Sequence, residues 1–151
     1  MNAKLPPPST PAKLDMLLVE DNADQWFMTQ SVLNREFPQI QPVWLDKAGH
    51  LLSYLETTGQ DLHELPALIL LDLYVHDAQT GFSLLHILKT HHLYKKIPTI
   101  VLSQSRAIDD VVRSYQLGSN GYTNKPATYE GWVELFLGLG RYWWNTGSES
   151  Q

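Results

Sequence analysis

Three short apolar runs that do not alternate with polar residues constrain this chain most: Met16-Leu17-Leu18-Val19, Ala67-Leu68-Ile69-Leu70-Leu71 and Thr99-Ile100-Val101-Leu102. A strand with one wet face alternates, whereas a strand covered on both faces does not. These runs therefore suit the middle of a parallel sheet. Val43-Trp44-Leu45 and Gly121-Tyr122-Thr123 are weaker strand candidates between turn-forming residues. The segments between have helical spacing. Ala48, Leu51, Leu52 and Leu55 fall at i, i+3, i+4 and i+7, and so do Ile108, Val111, Val112 and Tyr115. Gly59 and Gly118 follow as C-terminal stops. Ala23 to Phe37 is helix-compatible, with Asn22 as N-cap and Pro38 closing it. Phe82 to Lys89 and Thr128 to Trp144 complete the set. The expected fold is α/β: a five-stranded parallel sheet with helices on both faces, joined by right-handed crossovers.

With 151 residues the chain has room for one domain with a real core. That domain is expected over residues 14–145. Residues 1–13, with Pro6, Pro7, Pro8 and Pro11, and the polar residues 146–151 are expected to be disordered. No output domain is expected after Asn145. A net charge of -5 offers no basic field for phosphate backbones, so nucleic acid is not an expected partner. The absence of cysteine excludes disulfides, thiolate catalysis and cysteine-ligated metal. No apolar run nears the roughly 20 residues that span a bilayer, and the first residues lack the apolar stretch of a secretory signal. A cytoplasmic protein without a membrane segment is expected.

In parallel α/β sheets, ligands gather at the carboxyl ends of the strands, near a switch in strand order. The first strong run ends in Glu20-Asp21, the second in Asp72 and the third in Ser103, while the weak fifth strand ends in Lys125-Pro126. Taken singly, Asp21-Asn22 reads equally well as a helix cap and Asp72 as a turn acid. Together, three carboxylates repel one another, and the single amine of Lys125 offsets only part of their charge. A hard divalent cation with oxygen ligands relieves the rest, and Mg²⁺ suits such a set. Phosphoryl transfer uses the same parts: a carboxylate nucleophile, a metal, and amine and hydroxyl donors for the phosphoryl oxygens.

LLVEDN (17–22), LILLDLYV (68–75), IPTIVLS (97–103) and GYTNKP (121–126) resemble, in order and in near-family spacing, the four signatures of response-regulator receiver domains, and they cover essentially the whole core. The resemblance implies the flavodoxin-like (βα)5 receiver fold. It implies that Glu20 and Asp21 hold Mg²⁺ together with Asp72 and the backbone carbonyl of Tyr74. It implies that Asp72 takes a phosphoryl group from a phosphohistidine, that Ser103 is the switch hydroxyl, and that Lys125 contacts a phosphoryl oxygen. Tyr122 matches the switch aromatic, and the Lys125–Pro126 bond is expected to be cis.

Three positions depart from the family pattern. His76 stands where the family usually has proline, and Gly81 lies nine residues beyond Asp72 rather than eight, so one residue is inserted in the 75–80 loop. His76 and Asp77 are read there as solvated loop residues rather than extra metal ligands. Gln104 follows Ser103 where a small residue is usual, and either screens Asp72 or points to solvent. Tyr74, two beyond Asp72, flanks the path of an attacking water. Tyr74 and Gln104 together are expected to slow phosphoryl loss, unless Tyr74 is simply a packed loop residue.

The last helix carries Trp132, Val133, Leu135, Phe136, Leu137, Leu139, Tyr142, Trp143 and Trp144, more apolar surface than one sheet face covers. The surplus is expected at a protein interface, unless the tail folds back over Trp143 and Trp144. This feature resembles stand-alone receivers that pair with phytochrome-type histidine kinases. It implies a homodimer through the fourth helix, fifth strand and last helix. Expected partners are a sensor histidine kinase or a histidine phosphotransfer protein, with no turnover of external substrate. Three alternatives compete: a receiver-like interaction module that is never phosphorylated, a haloacid-dehalogenase phosphatase, and a flavodoxin-like cofactor binder. The phosphatase requires an acid where Tyr74 stands, and the cofactor binder requires a phosphate loop where Glu20-Asp21 stands.

Overall fold

The computed structural model describes residues 14–58 and 65–143; of the side chains of Tyr142 and Trp143 nothing is described. Gly59, Trp144 and the two segments expected to be disordered lie outside the described residues. Strands and helices alternate through the chain: β1 (Leu14–Val19), α1 (Ala23–Glu36), β2 (Ile40–Leu45), α2 (Ala48–Thr58), β3 (Leu68–Asp72), α3 (Ala78–Thr90), β4 (Thr99–Ser103), α4 (Ile108–Gln116), β5 (Gly121–Asn124) and α5 (Tyr129–Trp143). A 3-10 turn (Tyr94–Lys96) precedes β4. All strand pairs are parallel, in the order β2-β1-β3-β4-β5.

The three apolar runs are the three inner strands. Because side chains alternate across a strand, each run supplies both faces of the sheet. Leu17, Val19, Ile69, Leu71 and Val101 pack with Leu51 and Leu55 of α2 and Phe82, Leu85 and Leu88 of α3. Met16, Leu18, Leu68, Leu70, Ile100 and Leu102 pack with Val32 and Leu33 of α1 and Trp132 and Phe136 of α5. Gly118 ends α4 at φ +104, the left-handed conformation that favours glycine at a helix stop.

Two helices differ from expectation. α3 begins four residues before Phe82, because Asp77 accepts from Thr80 N at 2.7 Å and caps the helix there. The apolar stripe of α4 does not cover the sheet. Ile108, Val112 and Tyr115 are 76%, 46% and 50% exposed, and the buried side chain of this helix is Ser114. Ser114 Oγ donates to Val111 O and lies 3.2 Å from Ser119 Oγ, so its polar group is satisfied inside.

Candidate functional site

The sheet changes direction between β1 and β3: from β1 the chain crosses to one edge, and from β3 it proceeds to the other. Residues leaving those two strands meet at this switch, as the sheet rule requires. Glu20 follows β1. Its N donates to Leu45 O at 3.1 Å, and its carbonyl accepts from Trp44 Nε1 at 2.6 Å, so the edge strand β2 holds it on both sides. Trp44 in turn stacks on Trp26 of α1 with ring centroids 5.5 Å apart. Asn22 caps α1 by accepting from Gln25 N, and its own N donates to Glu20 Oε2 at 3.2 Å. The helix-cap reading and the ligand reading of this turn are thus both served: Asn22 caps, which leaves Asp21 at the exposed mouth.

Asp72 ends β3, and its Oδ1 accepts from Tyr74 N at 3.1 Å. Lys125 follows β5 and is anchored through its N to Ser103 O at 3.0 Å. Its Nζ donates to Glu20 Oε1 at 2.6 Å and lies 3.2 Å from Asp72 Oδ2. The three side chains are almost closed to solvent, at 8% for Lys125, 2% for Glu20 and 6% for Asp72. Ser103 ends β4 fully buried, with its Oγ accepting from Ser105 N at 2.9 Å. Tyr122 on β5 is half-buried and donates its phenol to Ser105 O at 2.8 Å. All the residues expected at the strand ends therefore share one end of the sheet.

Glu20, Asp21 and Asp72 each bring a carboxylate oxygen within 4.8 Å of the others. Burial pushes the Glu20 carboxyl up, the bond from Lys125 pulls it back and the Asp72 charge raises it again, leaving it at about 7. Burial alone would lower the Lys125 ammonium; its bond to Glu20 and the field of Asp72 outweigh this, and it lies above its ordinary value. Three carboxylates face one ammonium, so the donor set carries an excess of negative charge that a divalent cation fits. The Tyr74 carbonyl accepts from His76 N at 2.8 Å; a carbonyl oxygen has two lone pairs, and one remains.

A cleft of about 490 Å³ opens over these groups, walled by Gln25, Tyr74, Gln104 and Ser105. Gln104 is exposed and also forms part of that wall, so it flanks the opening. Gln25 Oε1 is buried with no hydrogen-bond partner among the described residues. The lengthened loop is accommodated after Asp72. Val75 N donates to Asp72 O, Val75 is buried, and His76 is exposed at φ +130. Asp77 is occupied as the cap of α3, and among the described residues neither it nor His76 joins a metal-ligating cluster. Gly81 is obligatory, since a Cβ there would stand 1.8 Å from Leu73 O. One expectation fails: among the described residues there is no cis peptide bond, and Lys125–Pro126 is trans, the form that X–Pro bonds intrinsically prefer.

Several residues escaped sequence reasoning. Trp44 holds the Glu20 main chain, a role set by strand register and carried by no motif. Ser105 lines the far wall, and Asp110 stands behind it. Ser105 Oγ donates to Asp110 Oδ2 at 2.6 Å, and the Tyr74 phenol donates to the same oxygen at 2.8 Å, which raises the phenol above its ordinary pKa. Only the position of Ser105, two beyond Ser103, could have drawn attention to it.

Residues 16–135 match the response regulator receiver domain family. Response regulator Rcp1 of Synechocystis sp. is 30% identical over 139 residues, covering 91% of this chain and 93% of Rcp1. The probable methanogenesis regulatory protein FilR2 of Methanothrix harundinacea is 30% identical over 132 residues, covering 86% of this chain and 84% of FilR2. The crystal structure of the phosphorylated cyanobacterial phytochrome response regulator RcpA superposes with a TM-score of 0.76 at 30% identity, covering 89% of this chain and 96% of RcpA. The Mn²⁺-bound form of Rcp1 superposes with a TM-score of 0.72 at 29% identity, covering 88% of this chain and 96% of Rcp1. The phosphatase and cofactor-binder alternatives are thereby set aside. With five parallel strands, the acid cluster at the switch of the sheet and a family match across its core, this chain belongs to the response regulator receiver domain family.

Proposed function

We propose that the chain accepts a phosphoryl group on Asp72 from the phosphohistidine of a sensor histidine kinase or a histidine phosphotransfer protein, and signals by protein contact. One observation carries this above all. Lys125 is buried between Glu20 and Asp72, with Asp21 completing an acidic cluster at the mouth. A scaffold has no use for this arrangement, because burying charges costs more than packing apolar groups of the same size. The phosphorylation-independent module is disfavoured on this ground.

In the proposed reaction an Asp72 carboxylate oxygen forms the new P–O bond while the P–N bond to the donor imidazole breaks, its electron pair staying on the nitrogen. Glu20, Asp21, Asp72 and the Tyr74 carbonyl would hold Mg²⁺, which supplies charge neutralisation for the phosphoryl oxygens. Lys125 gives an ammonium to one phosphoryl oxygen and Ser103 a hydroxyl to another; Tyr122 and Ser103 would be the switch pair. The similar protein RcpA is a phytochrome response regulator, which favours a kinase of that type as donor. A cytoplasmic place of action goes with such a donor; among the described residues no helix is long and apolar enough to cross a membrane. A homodimer through α4, β5 and α5 is favoured by the outward stripe Ile108, Val112 and Tyr115 and by Leu137, 49% exposed on α5. Light-scattering mass at micromolar concentration tests the dimer; a monomer that persists after phosphorylation defeats it.

Trp44 makes the central proposal directly testable, since its indole is bonded to the Glu20 carbonyl. Mg²⁺ with beryllofluoride, a phosphoryl analogue, should change tryptophan fluorescence in the wild-type chain and leave Asp72→Asn silent. A silent wild type refutes the proposal.

A further inference from the structure

Ser105 has every polar group engaged. Its N donates to Ser103 Oγ at 2.9 Å, its carbonyl accepts from Tyr122 Oη at 2.8 Å, and its Oγ donates to Asp110 Oδ2 at 2.6 Å. The Ser105 Oγ also accepts from Ala107 N at 3.2 Å. Asp110, in the first turn of α4, takes the Tyr74 phenol on the same oxygen at 2.8 Å. One carboxylate thus ties together the two residues that wall the cleft from opposite loops, Tyr74 after β3 and Ser105 after β4.

A hydroxyl has one proton to give and two lone pairs to receive with. The Ser105 amide fills one lone pair of Ser103, so the Ser103 proton stays free for another acceptor. How firmly that amide is held depends on what holds Ser105, and its side-chain anchor is Asp110. We propose that Asp110 is a positioning residue for phosphoryl binding: through Ser105 it fixes the Ser103 hydroxyl with its proton available to a phosphoryl oxygen, and through Tyr74 it fixes the opposite wall. Asp110 acts mainly on the phosphoryl side of the site; it reaches the cation side only through the phenol of Tyr74, whose main-chain carbonyl, not its side chain, is the proposed ligand. The three carboxylates of the cation side, Glu20, Asp21 and Asp72, share no hydrogen bond with it. This inference rests on Asp72 being the phosphoryl acceptor.

The test separates the two sides of the site. Mg²⁺ and beryllofluoride half-saturation points are read from tryptophan fluorescence for the full chain and for Asp110→Ala, Asp110→Asn, Ser105→Ala and Ser105→Thr. In Asp110→Ala and Ser105→Ala the beryllofluoride half-saturation should rise about 3- to 10-fold, the scale of one hydrogen bond, while that for Mg²⁺ stays within about twofold. Ser105→Thr keeps the hydroxyl and should restore tight binding, and the double alanine variant should lose no more than either single one. Asp110→Asn should fall between wild type and Asp110→Ala. If the alanine variants bind beryllofluoride as wild type does, or lose Mg²⁺ and beryllofluoride equally, Asp110 is not a positioning residue. Should Asp110→Ala fail to fold, the Ser105 pair decides. A wild type that ignores beryllofluoride removes the phosphoacceptor reading and this inference with it, whereas a responsive wild type with indifferent variants removes the inference alone.

Discussion

Replacing Lys125 by methionine asks whether the buried charges are a functional cluster or merely tolerated. The ammonium lies 2.6 Å from Glu20 Oε1 and 3.2 Å from Asp72 Oδ2, and all three side chains are nearly closed to solvent. Removing one partner of a buried pair costs about 3–5 kcal/mol, because the other charge is left uncompensated. The cleft beside these groups is open to solvent, so about 3 kcal/mol is expected at pH 8. The deficit should shrink in acid. Glu20 is raised by burial first, and its value of about 7 lies above the 4.5 of an ordinary glutamate. A carboxyl raised by folding contributes stability that is fully present below its unfolded pKa and lost as pH climbs through its folded one. From pH 8 to pH 6 the wild type therefore gains on the order of 1 kcal/mol from this group. In the variant, Glu20 loses the Lys125 bond and titrates higher still, so it gains more and the deficit narrows by about 1 kcal/mol. Mg²⁺ at a hundredfold the variant's half-saturation point should stabilise the variant by about 2.7 kcal/mol at pH 8, and the wild type, whose Lys125 competes for the same carboxylates, by less at that concentration, so the deficit narrows. Urea unfolding at pH 8 and 6, with and without Mg²⁺, measures each quantity. A deficit that ignores both pH and Mg²⁺ would refute the reasoning, since Lys125 would then be contributing only its packed stem.

The same group governs cation affinity: Mg²⁺ binding to the wild type should weaken below pH 7, approaching tenfold per pH unit as Glu20 takes up its proton, and calorimetry in two buffers should detect proton release near pH 7. A pH-independent affinity contradicts this. His76→Gly relieves a non-glycine residue at φ +130 and should raise stability by about 1 kcal/mol, or some 2–4 °C in thermal midpoint for a chain of this size; an unchanged midpoint means the loop relaxes at no cost. Gly81→Ala forces a Cβ against the Leu73 carbonyl and should cost about 3 kcal/mol or more in urea unfolding; a near-neutral effect would show that α3 can shift outward freely.

Much of this molecule was legible because its inner strands are buried on both faces, and that burial writes itself as unbroken apolar runs. The site residues were legible for a related reason: a strand-end position is fixed once the strand is, so Glu20, Asp72, Ser103 and Lys125 followed from the runs they terminate. Two kinds of feature stayed hidden. Asp77 as a helix cap was missed because α3 begins with Ala78-Gln79-Thr80-Gly81, which carry no large apolar residue to mark a helical period. The Tyr74–Asp110–Ser105 junction joins residues 36 positions apart across two loops, and no local spacing encodes such an approach. The stripe on α4 was legible as a helix but not as an outward-facing one. Periodicity reports that a helix has an apolar side, and the sheet decides which side it covers.

That outward stripe and the Asp110 junction bear on one another. A helix that buries Leu-sized side chains is held by them, and moving it costs several kcal/mol of lost burial. α4 buries only Ser114 fully, while Ile108, Val112 and Tyr115 face outward. Its first turn is instead held by Asp110, through two hydrogen bonds to residues that wall the acid cleft. Hydrogen bonds to a carboxylate contribute about 1.5–3 kcal/mol each, still within what a new charge at the cleft can overcome. If Asp72 accepts a phosphoryl group as proposed, any displacement of Ser105 or Tyr74 is passed to the start of α4, and with it to the apolar surface that α4 presents. The weakly packed helix is then the element on which a change of charge at Asp72 can act. The strands that carry Glu20 and Asp72, buried on both faces, stay fixed.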